Sequence, residues 1–110
     1  MTTKSRYLLK THPDFDREDM PSLPQELRED FSKIYKPLLM TDPYNCQGYP
    51  TYGKRGDLAG YRALEIDYGE IAYRLVYRIY DASAPKWVKI ISFDEHDPAY
   101  EKAKIRTSRK

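Results

Sequence analysis

The most regular pattern in the chain is the alternation of side chains over residues 71–80 (IAYRLVYRIY). One parity holds Ile71, Tyr73, Leu75, Tyr77 and Ile79, and the other holds Arg74, Val76, Arg78 and Tyr80. Alternation of this length is typical of a β-strand whose two faces have different surroundings. We therefore predict a strand with one buried face and with two arginines on the other.

Two more strands are predicted beside this one, at residues 61–66 and 86–93. Residues 67–70 contain Gly69, which can supply the positive φ of a hairpin turn, and residues 81–85 form a second turn. Strands joined by tight turns pair antiparallel. Pro98 is expected to stop the last strand, and residues 100–106 to form a short terminal helix or tail.

The first half of the chain has helical rather than alternating periodicity. A short strand is predicted at residues 6–10 and a short helix at residues 13–20. A longer helix over residues 23–39 follows from the spacing of its apolar positions, which are Leu23, Leu27, Phe31, Ile34 and Leu38. Ser22 and Gln25 have the spacing of a capping box, and Pro37 predicts a kink or an early end. Residues 41–60, rich in glycine and proline, are predicted to be a long loop.

These elements predict one α+β domain over residues 1–110, built in two layers. The N-terminal strand and two helices should pack on one face of an antiparallel sheet of about four strands. A short C-terminal helix or tail completes the fold. The other face should stay open, and Arg74 and Arg78 can point from it.

Composition narrows the function only a little. The net charge is +2, of which residues 1–53 contribute −1 and residues 54–110 contribute +3. The single cysteine, Cys46, excludes an internal disulfide and fits a reducing cytoplasm. One cysteine and two histidines offer no metal-ligand spacing, so no metal or cofactor is expected. No apolar run has the length of a membrane span or the form of a signal peptide, and we expect a cytoplasmic protein.

Candidate chemistry is concentrated where the last predicted strand ends, at Asp94-Glu95-His96-Asp97 and then Tyr100. Histidine can act as acid or base near neutral pH, and arginine matches the geometry of phosphate. Together with Arg74 these side chains suit attack of a ribose 2′-hydroxyl on the adjacent phosphate of RNA.

Simpler interpretations stay open for each of these residues. His96 and Tyr100 would also suit a solvated strand end and a cap on the sheet edge. Arg74 and Arg78 could pair with Glu65, Asp67 or Glu70 across the hairpin, and Lys54 and Arg55 could simply be solvated.

The chain resembles the RelE/ParE superfamily of toxins from type II toxin–antitoxin modules. The resemblance rests on residues 58–62 (LAGYR), on residues 73–77 (YRLVY) and on a final strand running into His96 and Tyr100. It implies an mRNA endoribonuclease that cuts on the ribosome, is neutralised by a cognate antitoxin protein and uses no cofactor. A gyrase-inhibiting toxin without nuclease chemistry is the alternative, and a decayed module that only binds antitoxin or DNA is a third.

The resemblance also implies roles for individual residues. The expected catalytic residues are Arg74, His96, Tyr100 and Arg62. The expected RNA-binding residues are Lys54, Arg55 and Arg78.

Overall fold

Five strands form one sheet in the computed structural model, which describes residues 6–82 and 84–108. They are β1 (Leu8–Thr11), β2 (Thr51–Gly53), β3 (Arg62–Tyr68), β4 (Ile71–Tyr80) and β5 (Trp87–Glu95). The order across the sheet is β1-β5-β4-β3-β2, with β1 parallel to β5 and all other neighbours antiparallel. The predicted α+β class is confirmed, with five strands instead of about four and one parallel pair.

Strand β4 has the bounds that its alternation predicts. Its turn to β3 lies at Gly69, whose φ of +64° is the left-handed conformation that glycine adopts without strain. Tyr73, Leu75 and Tyr77 are buried on one face of the strand and Val76 is buried on the other. Both faces of the sheet are therefore covered at its centre.

Two helices cover the face of Tyr73, Leu75 and Tyr77. A short helix consists of a π-helical segment (Phe15–Asp19) and one α-helical turn (Met20–Ser22). A long helix follows over residues 25–41, with a π-helical turn (Phe31–Tyr35) between the segments Gln25–Asp30 and Lys36–Thr41. Their apolar side chains meet the sheet in a first core that includes Phe15, Leu27, Phe31, Leu38, Leu64, Leu75, Tyr77, Ile90 and Phe93.

The predicted capping box of the long helix is wrong, and so is the early end that was one of the two alternatives predicted at Pro37. Ser22 and Gln25 form no capping box, because the Ser22 hydroxyl donates to the Glu18 carbonyl and the Gln25 amide donates to the Glu29 carboxylate. The helix also does not end early at Pro37. This proline lies in the first turn of the segment after the wide π-helical turn, where its missing N–H costs little.

The sheet face predicted to be open carries the C-terminal helix, His96–Thr107. The helix begins directly after β5, with Pro98 in its first turn. A second core lies beneath it, formed by Leu58, Ala63, Val76, Ile91, Ala99, Tyr100 and Ala103. The helix covers only part of this face.

The predicted loop at residues 41–60 contains an unpredicted strand. Strand β2 pairs with β3, so that Tyr52 lies opposite Ala63 and Gly53 opposite Arg62. Its three residues are too few for a visible alternation, and glycines and prolines surround them. The pairing partner in β3 determines this strand more than local sequence does.

A β-bulge in β5 explains why that strand does not alternate in sequence. Val76 pairs with Ser92 and Tyr77 pairs with Ile90, which leaves Ile91 as the extra residue. A bulge turns the side chains that follow it onto the other face. Ile90 and Phe93 therefore both enter the first core, while Ile91 enters the second.

A buried ionic cluster ties the short helix to the C-terminal helix around the edge of β5. The Asp19 carboxylate is fully buried and accepts hydrogen bonds from the Phe93 backbone N–H (2.8 Å) and from Arg106 (2.9 Å). Arg106 also donates to the Ile91 carbonyl, and Lys102 bridges Asp19 and Asp94. The position of the C-terminal helix is thus fixed by charge as well as by apolar packing.

Candidate active site

Arg74 lies at the centre of the candidate site, on the sheet face that carries the C-terminal helix. In register it stands between Glu65 of β3 and Asp94 of β5. Only 12% of its side chain is exposed, and its guanidinium is 3.8 Å from the Glu65 carboxylate. One of its nitrogens donates to the Tyr73 carbonyl at 2.9 Å. Arg74 is therefore a largely desolvated cation held by the sheet.

Two tyrosines meet beside Arg74, Tyr52 from β2 and Tyr100 from the C-terminal helix. Their hydroxyl oxygens are 2.8 Å apart, and we call them the phenol pair. Burial, followed by the hydrogen bond to Tyr52, raises the pKa of Tyr100 well above its usual range. A phenol that stays protonated at neutral pH can donate a hydrogen bond but cannot serve as a base. The contact with Tyr52 and the charge of Glu65 raise the pKa of Arg74 despite its burial.

Lys54 brings a second cation to the phenol pair. Its ammonium lies 4.0 Å from the centre of the Tyr100 ring and 5.4 Å from that of Tyr52. These distances allow cation–π attraction, which holds the lysine over the site without neutralising its charge. Lys54 reaches this position because it follows β2 directly.

His96 is the first residue of the C-terminal helix and lies on the open side of Tyr100. The two ring centres are 4.9 Å apart, edge to face. The His96 Nδ1 atom is 2.7 Å from the Asp97 carboxylate, and 48% of the side chain is exposed. Because a carboxylate only accepts, Nδ1 carries the hydrogen and Nε2 is the atom left to take or give a proton.

The structure brings Arg74, Tyr100, Lys54 and His96 together but places Arg62 elsewhere. Arg62 is opposite Tyr77 in register, and strand alternation therefore turns it toward the first core, away from Arg74. Its guanidinium donates to the Tyr44 carbonyl at 2.9 Å. Arg62 does not join the predicted catalytic group.

The remaining two predicted RNA-binding residues lie beside the site rather than in it. Arg78 shares the face of Arg74 farther along β4, where its guanidinium carbon is 5.1 Å from the Tyr61 ring centre. Arg55 follows Lys54 and is exposed.

Sequence reasoning missed Tyr52, whereas it offered Glu65 as one of the acidic partners of Arg74 across the hairpin. Tyr52 lies in a segment predicted to be a loop, because residues 41–60 contain four of the chain's five glycines. The hairpin explains the pairing with Glu65, because a turn at Gly69 places it opposite Arg74.

The described residues contain no group of three or more His, Cys, Asp or Glu side chains arranged to hold a metal ion. Within that part of the chain there is also no helix with the length and apolar character needed to cross a bilayer.

No protein-family model matches the chain, and no curated protein sequence matches it significantly. Two solved structures are similar to it. One is described as a YoeB/ParE toxin from Agrobacterium tumefaciens, with a TM-score of 0.60 and 18% identity over 81% of this chain and 98% of that one. The other is an arginine-substituted variant of the E. coli toxin RelE in its free state, with a TM-score of 0.61 and 22% identity over 94% of this chain and 99% of that one.

The chain has the RelE/ParE toxin fold. The resemblance seen in the sequence is thus confirmed at the level of the fold. Both likenesses cover nearly the whole of the toxin structures.

Proposed function

We propose that this RelE-like chain is the toxin of a toxin–antitoxin module and acts as an mRNA endoribonuclease. The observation that carries the proposal is the convergence of Arg74, the phenol pair, Lys54 and His96 on one face of the sheet. Two cations, phenol hydroxyls and an accessible imidazole are groups suited to the cleavage of an RNA phosphodiester. The protein supplies them without a nucleophile of its own, because the ribose 2′-hydroxyl is the nucleophile.

In this mechanism the 2′-oxygen attacks the adjacent phosphorus and the bond to the 5′-oxygen breaks. A 2′,3′-cyclic phosphate and a free 5′-hydroxyl result. One proton leaves the 2′-hydroxyl and one reaches the 5′-oxygen. Nε2 of His96 is the atom at the site suited to transfer one of them, with Asp97 holding the ring from the other side.

The other groups act on the charge of the phosphate. Arg74 and Lys54 stabilise the negative charge that develops on the non-bridging oxygens. Tyr100 donates a hydrogen bond to one of these oxygens, since its raised pKa keeps its proton in place. The Arg74 guanidinium needs no reorientation because the sheet, the Tyr73 carbonyl and Glu65 already hold it.

As a toxin, the protein would act in the cytoplasm on mRNA bound to the ribosome and would be neutralised by a cognate antitoxin protein. The fold shared with toxins of this kind supports the module. A gyrase-inhibiting activity is the second candidate, favoured by the ParE name of one structural neighbour. That activity would need neither His96 nor the phenol pair.

The deciding experiment is cleavage of a defined mRNA by the purified protein, with and without translating ribosomes. His96→Ala should slow cleavage by about 10²–10⁴-fold, which is the usual contribution of general acid–base catalysis. The matched control is His12→Ala, because the chain has only two histidines and His12 lies at the start of the short helix.

If His96→Ala cleaves RNA at the same rate as His12→Ala, His96 has no part in the mechanism. If the folded protein cuts no RNA in either condition and inhibits DNA supercoiling by gyrase, the second candidate replaces the first.

A further inference from the structure

Three cations stand side by side across the sheet, on the face that the C-terminal helix covers only in part. Lys10 of β1 is in register with Lys89 of β5, and Lys89 is in register with Arg78 of β4. All three point to the same face, because Val88 belongs to the first core and the neighbours Leu9 and Ile79 pack against that core. We call these three residues the basic row. At about 4.8 Å between strands it is roughly 10 Å long.

Within the described part of the chain, no acidic side chain neutralises the basic row. None of its members takes part in an ion pair there, and none donates a side-chain hydrogen bond. Like charges directly opposite each other on neighbouring strands destabilise a sheet. The arrangement therefore costs folding energy, and an anionic ligand would relieve that cost.

Aromatic rings hold two of the cations in place. The Lys10 ammonium is 4.7 Å from the Trp87 ring centre, and Arg78 is 5.1 Å from that of Tyr80. Trp87 and Tyr80 are stacked on each other, with centres 4.2 Å apart and planes 9° apart. The two end cations are thus ordered by the protein before any ligand arrives, so binding loses less side-chain freedom.

The basic row is connected to the candidate active site through Tyr61. The Arg78 guanidinium also lies 5.1 Å from the Tyr61 ring centre, and the Tyr61 carbonyl accepts a hydrogen bond of 2.8 Å from the Lys54 backbone N–H. Lys54 in turn lies over Tyr100. Cations and aromatic rings therefore form a continuous arc beside the C-terminal helix, from the site to the edge strand.

We propose that the basic row binds the backbone of a single-stranded RNA segment that flanks the phosphate at Arg74. The inference rests on the proposed function, since it extends the path of the same RNA. Lys10, Lys89 and Arg78 contact successive phosphates, and the Trp87–Tyr80 stack adds apolar contact with sugars or bases. Surfaces that combine a cationic track with aromatic side chains are typical of single-strand binding.

The chemistry favours RNA over an acidic protein as the occupant. The cations are spaced along a line, continue directly from a site suited to a phosphodiester, and alternate with aromatic rings. Contacts of this kind position a nucleic acid without reading its sequence. We therefore expect the row to bind RNAs of different sequence with similar strength.

The test is binding of a fluorescent single-stranded RNA whose 2′-hydroxyls are all methylated, so that it cannot be cut. Affinity is measured by anisotropy at several salt concentrations for the wild type and for Lys10→Gln/Lys89→Gln. The slope of log K against log salt should become less steep by about 1.4, because each contact to a single strand contributes about 0.7. By the same relation, affinity at about 0.1 M salt should fall about 25-fold.

The matched control is Lys33→Gln/Lys36→Gln, which removes two positive charges from the long helix on the opposite face of the sheet. It should change neither the slope nor the affinity by comparable amounts. Trp87 is the chain's only tryptophan, so the RNA should also change the protein's indole emission in the wild type.

Equal slopes for the two double variants would overturn the proposal. So would a row variant that binds RNA normally but loses binding of poly-glutamate, because the row would then serve an acidic protein. Binding of uncleavable RNA does not depend on the chemistry at His96. If the wild type cuts no RNA but the row variant binds the uncleavable RNA more weakly, the RNA-binding role of the basic row is supported and the nuclease activity is refuted.

Discussion

Removing a single oxygen atom from Tyr52 tests how the candidate site is organised. In Tyr52→Phe the ring can keep its place beside the second core, but the 2.8 Å hydrogen bond to Tyr100 is lost. A typical hydrogen bond contributes about 0.5–1.5 kcal/mol to stability. Because Tyr52 is only half-buried, we expect a loss of stability near the lower end of that range.

The effect on cleavage should exceed the effect on stability. Tyr100 loses the partner that fixes its hydroxyl, and Arg74 loses a neighbouring oxygen. Both groups are expected to bind the phosphate most strongly when its charge develops, so their misplacement lowers kcat more than it raises KM. We expect kcat to fall about tenfold, equivalent to about 1.4 kcal/mol of transition-state stabilisation.

The assay is steady-state cleavage of a defined RNA, with thermal unfolding to show that each variant is folded. Tyr49→Phe is the matched control, because Tyr49 is 43% exposed and packs edge-on against Tyr35 of the long helix, on the face of the sheet opposite to Arg74. Tyr100→Phe and the double variant complete a cycle. If the two hydroxyls act as one unit, the double variant should be about as slow as the worse single variant.

Two outcomes would refute this reasoning. Tyr52→Phe could retain the kcat of Tyr49→Phe, which would leave Tyr52 without a role in positioning. Alternatively, the effects of Tyr52→Phe and Tyr100→Phe could simply multiply, which would show that the two hydroxyls act independently.

Two further predictions concern stability. Arg106→Met should lower the free energy of unfolding by about 3–5 kcal/mol, because it removes the main partner of the buried Asp19 carboxylate. Urea denaturation measures this loss, with the exposed substitution Arg17→Met as the control. Similar denaturation midpoints for the two variants would refute the prediction. Burial is the main cause that raises the pKa of Tyr77 in the folded protein. The buried neutral phenol therefore stabilises the fold fully below pH about 10, the pKa of tyrosine in the unfolded chain, and this stabilisation is lost as the pH rises above that value. Denaturation midpoints at about pH 9 and pH 11 should therefore differ more for the wild type than for Tyr77→Phe, and an equal difference would contradict the assignment.

The sheet could be predicted where a strand is long and its two faces differ. Strand β4 meets both conditions, and its bounds follow from alternation alone. Strand β5 is less readable because the bulge at Ile91 interrupts its parity. The position of a bulge depends on pairing with the neighbouring strand, which local sequence does not show.

The candidate site was predictable in its cations and its histidine but not in its second phenol. Arg74 and His96 belong to segments with clear signals, whereas Tyr52 belongs to a strand that exists only through pairing with β3. Arg62 was placed by analogy with a sequence motif, and the parity of β3 turns it to the other face. The motif therefore placed Arg62 in the correct strand, but it did not show on which face of the sheet the side chain lies.

The C-terminal helix was underestimated for a related reason. Its buried apolar side chains are Ala99, Tyr100 and Ala103, and two alanines beside one tyrosine form no conspicuous apolar stripe. Its remaining anchor is charged, and a buried pair such as Asp19 and Arg106 has the same appearance in a sequence as any exposed pair.

The position of β5 in the sheet has a consequence during protein synthesis. This strand, the last to be translated, lies between β1 and β4, so the two halves of the sheet cannot join until residue 95 has left the ribosome. His96 and Tyr100 come later still, and Arg106, which secures their helix against Asp19, comes after both. A growing chain therefore has neither a closed sheet nor an assembled site. The candidate site can therefore form only after residue 106 has also left the ribosome.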